Sequence, residues 1–223
     1  VRWLHPQRGL LQPSEFIPIA ETNGVIIPLG KWVLEAACAQ VQQWKQEGLV
    51  DEGFYVTVNL SARHLQDRRV IGHVVEALNQ SQLAPAALVL EITETALLAD
   101  LDRTRATLVA LKALGIRLAV DDFGTGYSSL SYLRAFPLDI IKVDKSFVDQ
   151  VTLTSGGEAM VRAVVELGRA LGLQAVAEGI EHRDQAIAIE RLGCNLAQGY
   201  LFAKPMPASE MERALMRDRV PVP

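Results

Sequence analysis

The stretch RLAVDD at 117–122 decides the fold when it is set beside LVLEI at 88–92 and IIKV at 140–143. Each is a short, β-branched run followed by a longer pattern of helical period. The rhythm recurs at 54–59 (FYVTVN), 174–178 (QAVAE) and 196–198 (LAQ), so six strands are expected, with residues 1–4 reading as the tail of another. Helices are expected over 29–46, 69–80, 102–114, 158–171 and 183–192, with Gly115 and Gly172 as stop signals. A last helix should follow Pro207, with Ser209 as N-cap and Glu212 in the capping-box position. The run 152–157 (TLTSGG) reads as a surface connection.

Strands alternating with covering helices imply a parallel sheet, either an open doubly wound sheet or a closed barrel. Side-chain parity separates these alternatives. One row of the strands holds Val56, Val58, Leu90, Ile92, Leu118, Val120, Ile141, Val143, Ala175 and Ala177. That apolar row belongs against helices. The opposite row runs through small or branched residues and ends on Asn59, Glu91, Asp121, Lys142, Glu178 and Gln198. Polar residues gathered at one end of so many strands fit a packed barrel with a chemical mouth better than an open sheet, whose ligands sit at a switch point. The fold class expected is therefore α/β, a TIM-like barrel.

Composition bounds the function. The chain has 223 residues, 49% of them hydrophobic, and 22 Lys plus Arg against 26 Asp plus Glu give a net charge of −4. A disordered or disulfide-stapled chain is excluded, and nothing in the charge favours DNA or an anionic membrane. Cys38 and Cys194 lie in apolar contexts that suit buried thiols in a reducing compartment, so a cytoplasmic location is expected. No signal peptide opens the sequence and no apolar run reaches the length of a membrane span. Trp3, Trp32 and Trp44 read as core or helix-packing residues, and His5, His64, His73 and His182 as surface or packing residues.

The row ends, with Asp122 next to Asp121, form a hard, oxygen-rich set without histidine or thiolate, which suits Mg2+ or Mn2+. Carboxylates this close repel one another unless a cation neutralises them. Two adjacent aspartates can serve two metal positions, and Lys142 then offers a fixed positive charge to a phosphoryl oxygen or a hydroxide. The plainer reading of Asp121–Asp122 is an Asx turn before a glycine-rich loop, Gly124 and Gly126 being no dinucleotide fingerprint. Neighbouring strands that also end in Asn, Glu, Lys and Glu weigh against it. They weigh equally against an acidic mouth that serves the fold alone.

These residues resemble the EAL-domain family of bacterial cyclic di-GMP phosphodiesterases. The likeness runs through RWLHPQRG at 2–9, FIPIAE at 16–21, NLS at 59–61, EITE at 91–94, DDFGTGYSSL at 121–130, IKVD at 141–144, AEGIE at 177–181 and QGYLF at 198–202. The resemblance implies a modified TIM-type barrel in which Asn59, Glu91 and Asp121 hold one metal, and Asp121 and Asp122 help to hold a second, with Glu178 nearby. It implies that Lys142 orients the attacking water, that Gln198 supports the water or substrate network, and that Glu94 anchors the loop after Asp122. Arg2 would grip a substrate phosphate, while Asp144 and Glu181 would support the site from behind or beside a guanine. The implied reaction is metal-assisted hydrolysis of cyclic di-GMP to linear pGpG, with two Mg2+ or Mn2+ ions. A silent receptor that binds the dinucleotide without cleaving it is the alternative. The resemblance further implies a homodimer through the loop from Asp122 to Tyr127, and fusion to a sensory or diguanylate cyclase domain. The family's Glu-Ala-Leu motif, which supplies another metal-binding Glu, would stand just before Val1. The chain therefore reads as one barrel domain over 1–223, N-terminally truncated and lacking the first strand and most of the second, and the activity is read for the parent domain.

Overall fold

The computed structural model describes residues 1–124 and 133–218. The chain opens on an antiparallel hairpin of β1 (Trp3–His5) and β2 (Gly9–Leu11), followed by α1 (Pro13–Asn23) and α2 (Ile26–Gln46). Residues 3–5 therefore pair locally with 9–11 instead of joining the parallel sheet as a strand tail.

The six expected strands all form: β3 (Val56–Asn59), β4 (Leu88–Thr93), β5 (Arg117–Phe123), β6 (Ile140–Val143), β7 (Gln174–Ala177) and β8 (Leu196–Ala197). They lie parallel in one sheet, in the order of the sequence. A doubly wound sheet reverses its order at a switch point, whereas this one winds in a single direction as a TIM-like barrel does. Helices fill the crossovers: α3 (Ala62–Leu65), α4 (Val70–Ser81), α5 (Glu94–Leu98), α6 (Leu101–Ala113), α7 (Lys145–Gln150), α8 (Ser155–Leu171) and α9 (Arg183–Arg191). After β8 comes α10 (Ala208–Asp218).

The parity of the strands sorts the interior into two layers. Val58, Leu90, Ile92, Leu118, Val120, Ile141, Val143 and Ala177 share one core with Leu34, Val74, Leu108 and Val161 of the helices. Val89, Ala119 and Ile140 form a second cluster, packed with Tyr55 and Val176, on the other face. Side chains of β4, β5, β6 and β7 meet there because the sheet curls. The cavity inside the curl, about 340 Å³, is lined from Thr57 beside β4 round to Gln198 beyond β8.

One irregularity breaks the alternation. Val120 pairs with Ile141 and Phe123 with Val143, so β5 carries one residue more than β6 across the step that includes Asp121 and Asp122. This bulge, with Asp122 at φ 53°, lets Phe123 return to the helix side while both aspartates stay at the strand end.

Several expectations need correction. Helix α8 starts at Ser155, inside the segment read as a surface connection, because Thr154 Oγ1 accepts the Gly157 N–H at 3.0 Å and caps the helix. Ser209 lies within α10, whose first turn hangs on the Pro207 carbonyl, and is therefore not the N-cap. Glu212 instead accepts hydrogen bonds from Trp44 Nε1 (2.9 Å) and Gln40 Nε2 (3.3 Å), tying α10 to α2. Of the tryptophans, Trp44 is buried, whereas Trp3 and Trp32 are 45% and 58% exposed. Trp3 still packs edge-on against Phe16 and His5, while Trp32 lines open clefts.

Behind β3, the buried ring of His64 meets His73 at 2.9 Å between Nε2 and Nδ1, and α2 passes so close that a methyl on Gly30 would lie 2.5 Å from His64 Nδ1. Burial, with the His73 charge adding to it, pushes the His64 pKa down to about 4. The unfolded chain, whose histidine titrates near about 6.5, then binds more protons between these values. Stability from this site is complete above about pH 6.5 and declines as pH falls toward 4. The urea midpoint should accordingly drop more steeply between pH 7 and pH 4.5 in the native sequence than in His64→Gln. Parallel profiles would contradict this.

Candidate active site

The ladder sets the site. Parallel pairing puts Asn59 level with Glu91 and Thr93 level with Asp121, and β6 brings Lys142 to the same end of the sheet. Lys142 Nζ lies 2.7 Å from Glu91 Oε1, 3.1 Å from Asp121 Oδ1 and 2.5 Å from Glu178 Oε1. Lys142 and Glu91 are each 4% exposed and Asp121 is 8% exposed, so these charges meet largely out of water. Glu178 stands one residue past β7, held by its N–H on the Val143 carbonyl (3.0 Å). Asp122, beside Asp121, donates its N–H to Asp121 Oδ1 at 3.1 Å.

The electrostatics follow from burial and crowding. Burial alone would lower the Lys142 pKa, but Glu91, Asp121 and Glu178 together raise it, so the ammonium stays charged. Burial drives Glu178 up to about 7, Lys142 pulling the other way and Asp121 adding to the rise. Asp122 is also raised, by burial first and then by Asp121 and Asp144. When ionised, Glu91, Asp121, Asp122 and Glu178 outnumber the single ammonium by three charges. Oxygens of Asp121, Asp122 and Glu178 lie within 4.8 Å of one another, which is the spacing and chemistry a divalent cation takes. The residues present therefore fit a hard metal ion.

The remaining candidates surround this centre at different removes. Asn59 and Gln198 are exposed at the mouth, and Gln198 lines the same cavity as Glu91 and Lys142, with its N–H on the Ala177 carbonyl at 2.8 Å. Glu94, buried at the start of α5, accepts the Gly124 N–H on Oε2 at 3.1 Å, while its Oε1 has no partner among the described residues. Asp144 caps α7 through the Ser146 N–H at 3.0 Å and lies close enough to raise Asp122. Glu181 pairs with Lys145 at 2.8 Å, and that hydrogen bond lowers its pKa. Arg2 is not brought to the cluster. It is exposed, donates to the Val1 carbonyl at 2.7 Å and lines a separate cleft with Trp3, Phe16 and Trp32. Residues 125–127 of the glycine-rich loop, Gly126 among them, lie outside the described residues. Lys145 is a further residue beside the site, signalled in the sequence by its i,i+4 spacing to Asp149 and by the glycine that follows Glu178.

A curled parallel α/β sheet with an oxygen-rich, cation-accepting cluster at its strand ends defines a barrel domain of TIM-like class. Comparison places it further. The EAL domain model matches residues 1–205, and the chain belongs to the EAL domain family. It is 42% identical over 211 residues to the bifunctional diguanylate cyclase/cyclic di-GMP phosphodiesterase MucR of Pseudomonas aeruginosa, across 95% of this chain and 30% of that protein. It is also 42% identical over 215 residues to the cyclic di-GMP phosphodiesterase NbdA of the same organism, across 96% of this chain and 27% of that protein. A solved structure of the PaMucR phosphodiesterase in complex with c-di-GMP superposes with a TM-score of 0.90 at 42% identity, covering 94% of this chain and 84% of that one. The chain thus spans about a third or less of the curated relatives it matches.

Lys142→Met leaves buried carboxylates without their ammonium, so we expect a loss of about 3 kcal/mol at pH 8. Because Glu178, which burial raises to about 7, takes up a proton as pH falls, the loss should shrink by pH 5. Thermal denaturation of both proteins at the two pH values checks this, and an equal loss at pH 5 and pH 8 would refute it.

Proposed function

We propose that this domain hydrolyses cyclic di-GMP to linear pGpG. The observation that carries the reading is the Lys142 ammonium set among Glu91, Asp121 and Glu178 at the mouth of the barrel, with Asp122 beside them. Its support is the likeness to proteins named as phosphodiesterases of this dinucleotide.

In this reading Asn59, Glu91, Asp121 and Asp122 hold divalent cations, two Mg2+ or Mn2+ ions per site. Such ions, when bound, supply Lewis acidity and lower the pKa of a water. Lys142 and Glu178, in contact at 2.5 Å, would orient a water for in-line attack on one phosphodiester; the P–O3′ bond breaks as the new P–O bond forms, and a proton of the water ends on the departing 3′-oxygen. Lys142 adds preorganised positive potential at the phosphoryl oxygens, and Gln198 steadies the water or substrate at the rim. Glu94, through the Gly124 N–H, anchors the loop that carries Asp122. Asp144 and Glu181 support the guanine side. Arg2 is assigned to a substrate phosphate by the family resemblance alone.

The proposal extends to the protein around the site. The chain works as a single barrel domain, as a homodimer through the loop from Asp122 to Tyr127, and as one module of a longer signalling protein with a sensory or diguanylate cyclase domain. MucR, named as bifunctional, supports the last point. We propose a cytoplasmic location for the domain from its two buried free thiols; no helix among the described residues is long and apolar enough to cross a membrane.

A hydrolysis assay on the parent protein tests the reading. With Mg2+ or Mn2+ present, cyclic di-GMP should be converted to pGpG, and chelation with EDTA should stop the reaction. Glu91→Ala or Asp121→Ala should reduce turnover by about 10³-fold or more in a protein that remains folded by circular dichroism. Unchanged activity in either variant would overturn the metal-site assignment, and binding without turnover in the native protein would favour a receptor.

A further inference from the structure

We propose that α7 is a positioning platform for the acidic cluster, resting the turn after Glu178 on Lys145 and the turn after Asp121–Asp122 on Phe147. The inference builds on the reading of that cluster as the reaction centre. It adds two residues, Lys145 and Phe147, outside the cluster itself.

Helix α7 is six residues long and leaves β6 directly after Lys142–Val143, with Asp144 as its N-cap. Val148 on the same helix is fully buried in the main core, so the helix is fixed relative to the strand that carries Lys142. Two glycines press against it. A methyl placed on Gly179 would stand 2.4 Å from Cγ and 2.7 Å from Cβ and Cδ of Lys145. A methyl on Gly124 would stand 2.9 Å from Cε2 and 3.1 Å from Cζ of Phe147. Only backbone without a side chain can approach so closely. At Gly179 the φ of +70° also favours glycine.

Each glycine ends a strand that supplies the cluster. Gly179 follows Glu178, and its turn is closed by the Glu178 N–H on the Val143 carbonyl and the Ile180 N–H on the Gln198 carbonyl, both at 3.0 Å. Gly124 follows the bulged end of β5, where Glu94 accepts its N–H. One short helix therefore sets the height of both strand ends against the ammonium that joins them. The stem of Lys145, and not its charge, makes the contact. Its ammonium bridges Glu181 and Asp149 with the side chain 45% exposed, and ion pairs that wet contribute little.

Amide hydrogen exchange on the intact protein tests the platform without reference to activity. In Lys145→Ala the amides of Glu178 and Ile180 should exchange about ten-fold faster, while Lys145→Met, which keeps the stem, should match the native protein. In Phe147→Leu, which keeps the helix packed but thins the support, the Gly124 amide should exchange faster by a similar factor. In steady-state hydrolysis Lys145→Ala should lower kcat about 10- to 100-fold with KM little changed, and Lys145→Met and Lys145→Arg should restore most of it. Unchanged exchange in Lys145→Ala, or a loss in Lys145→Met as large as in Lys145→Ala, would overturn the proposal. If exchange responds as expected but the native protein does not hydrolyse the dinucleotide, the phosphodiesterase reading fails and the platform stands.

Discussion

The molecule turns on one ammonium group. Lys142 Nζ reaches carboxylates from three other parts of the chain, Glu91 on β4, Asp121 on β5 and Glu178 after β7, and it does so largely out of water. Charges buried in this way are tolerated only when they are paired and their geometry is held. The strict sequential order of the sheet supplies the geometry, because it gives every inward strand end a defined neighbour and height. The remaining negative charge is crowded at the mouth: burial and crowding raise Glu178 and Asp122, a load that a hard divalent cation would relieve.

Fold and site are linked through departures from regularity. The extra residue in β5 keeps Asp122 beside Asp121, where strict alternation would send it toward the helices. Gly124 and Gly179 bring two strand ends down onto α7 at distances no side chain would allow. The strands otherwise set an outer apolar row against helices and an inner row that packs through Val89, Ala119 and Ile140. Three irregular positions, Asp122, Gly124 and Gly179, thus lie at the end of the sheet that carries the charged residues.

Much of this was legible in the residues. The two-residue period of 88–92, 117–122 and 140–143 separated the helix-facing row from the inner row, and the cluster members fell at the ends of the inner row. The parts that were not legible depend on contacts between distant segments. The Thr154 cap that starts α8 is a local signal inside 152–157, but the close approach of Gly157 to Gln150 that accompanies it is not. The pattern of α2 does not say that Trp44 turns inward to Glu212 while Trp32 stays on an open face. Arg2 shares the motif that suggested a phosphate contact, yet the pairing of residues 3–5 with 9–11 places it in another cleft. A bulge is likewise invisible to a reading by parity, since it appears only when both strands are in register.

In the proposed function Asp121 and Asp122, with Asn59 and Glu91, hold divalent cations beside Lys142 and Glu178. Calorimetric titration of Mn2+ into the protein without substrate measures this most directly. The account predicts saturable binding in the native protein and its loss in Asp121→Asn and Asp122→Asn, each still folded. Native-like Mn2+ binding in both variants would contradict it.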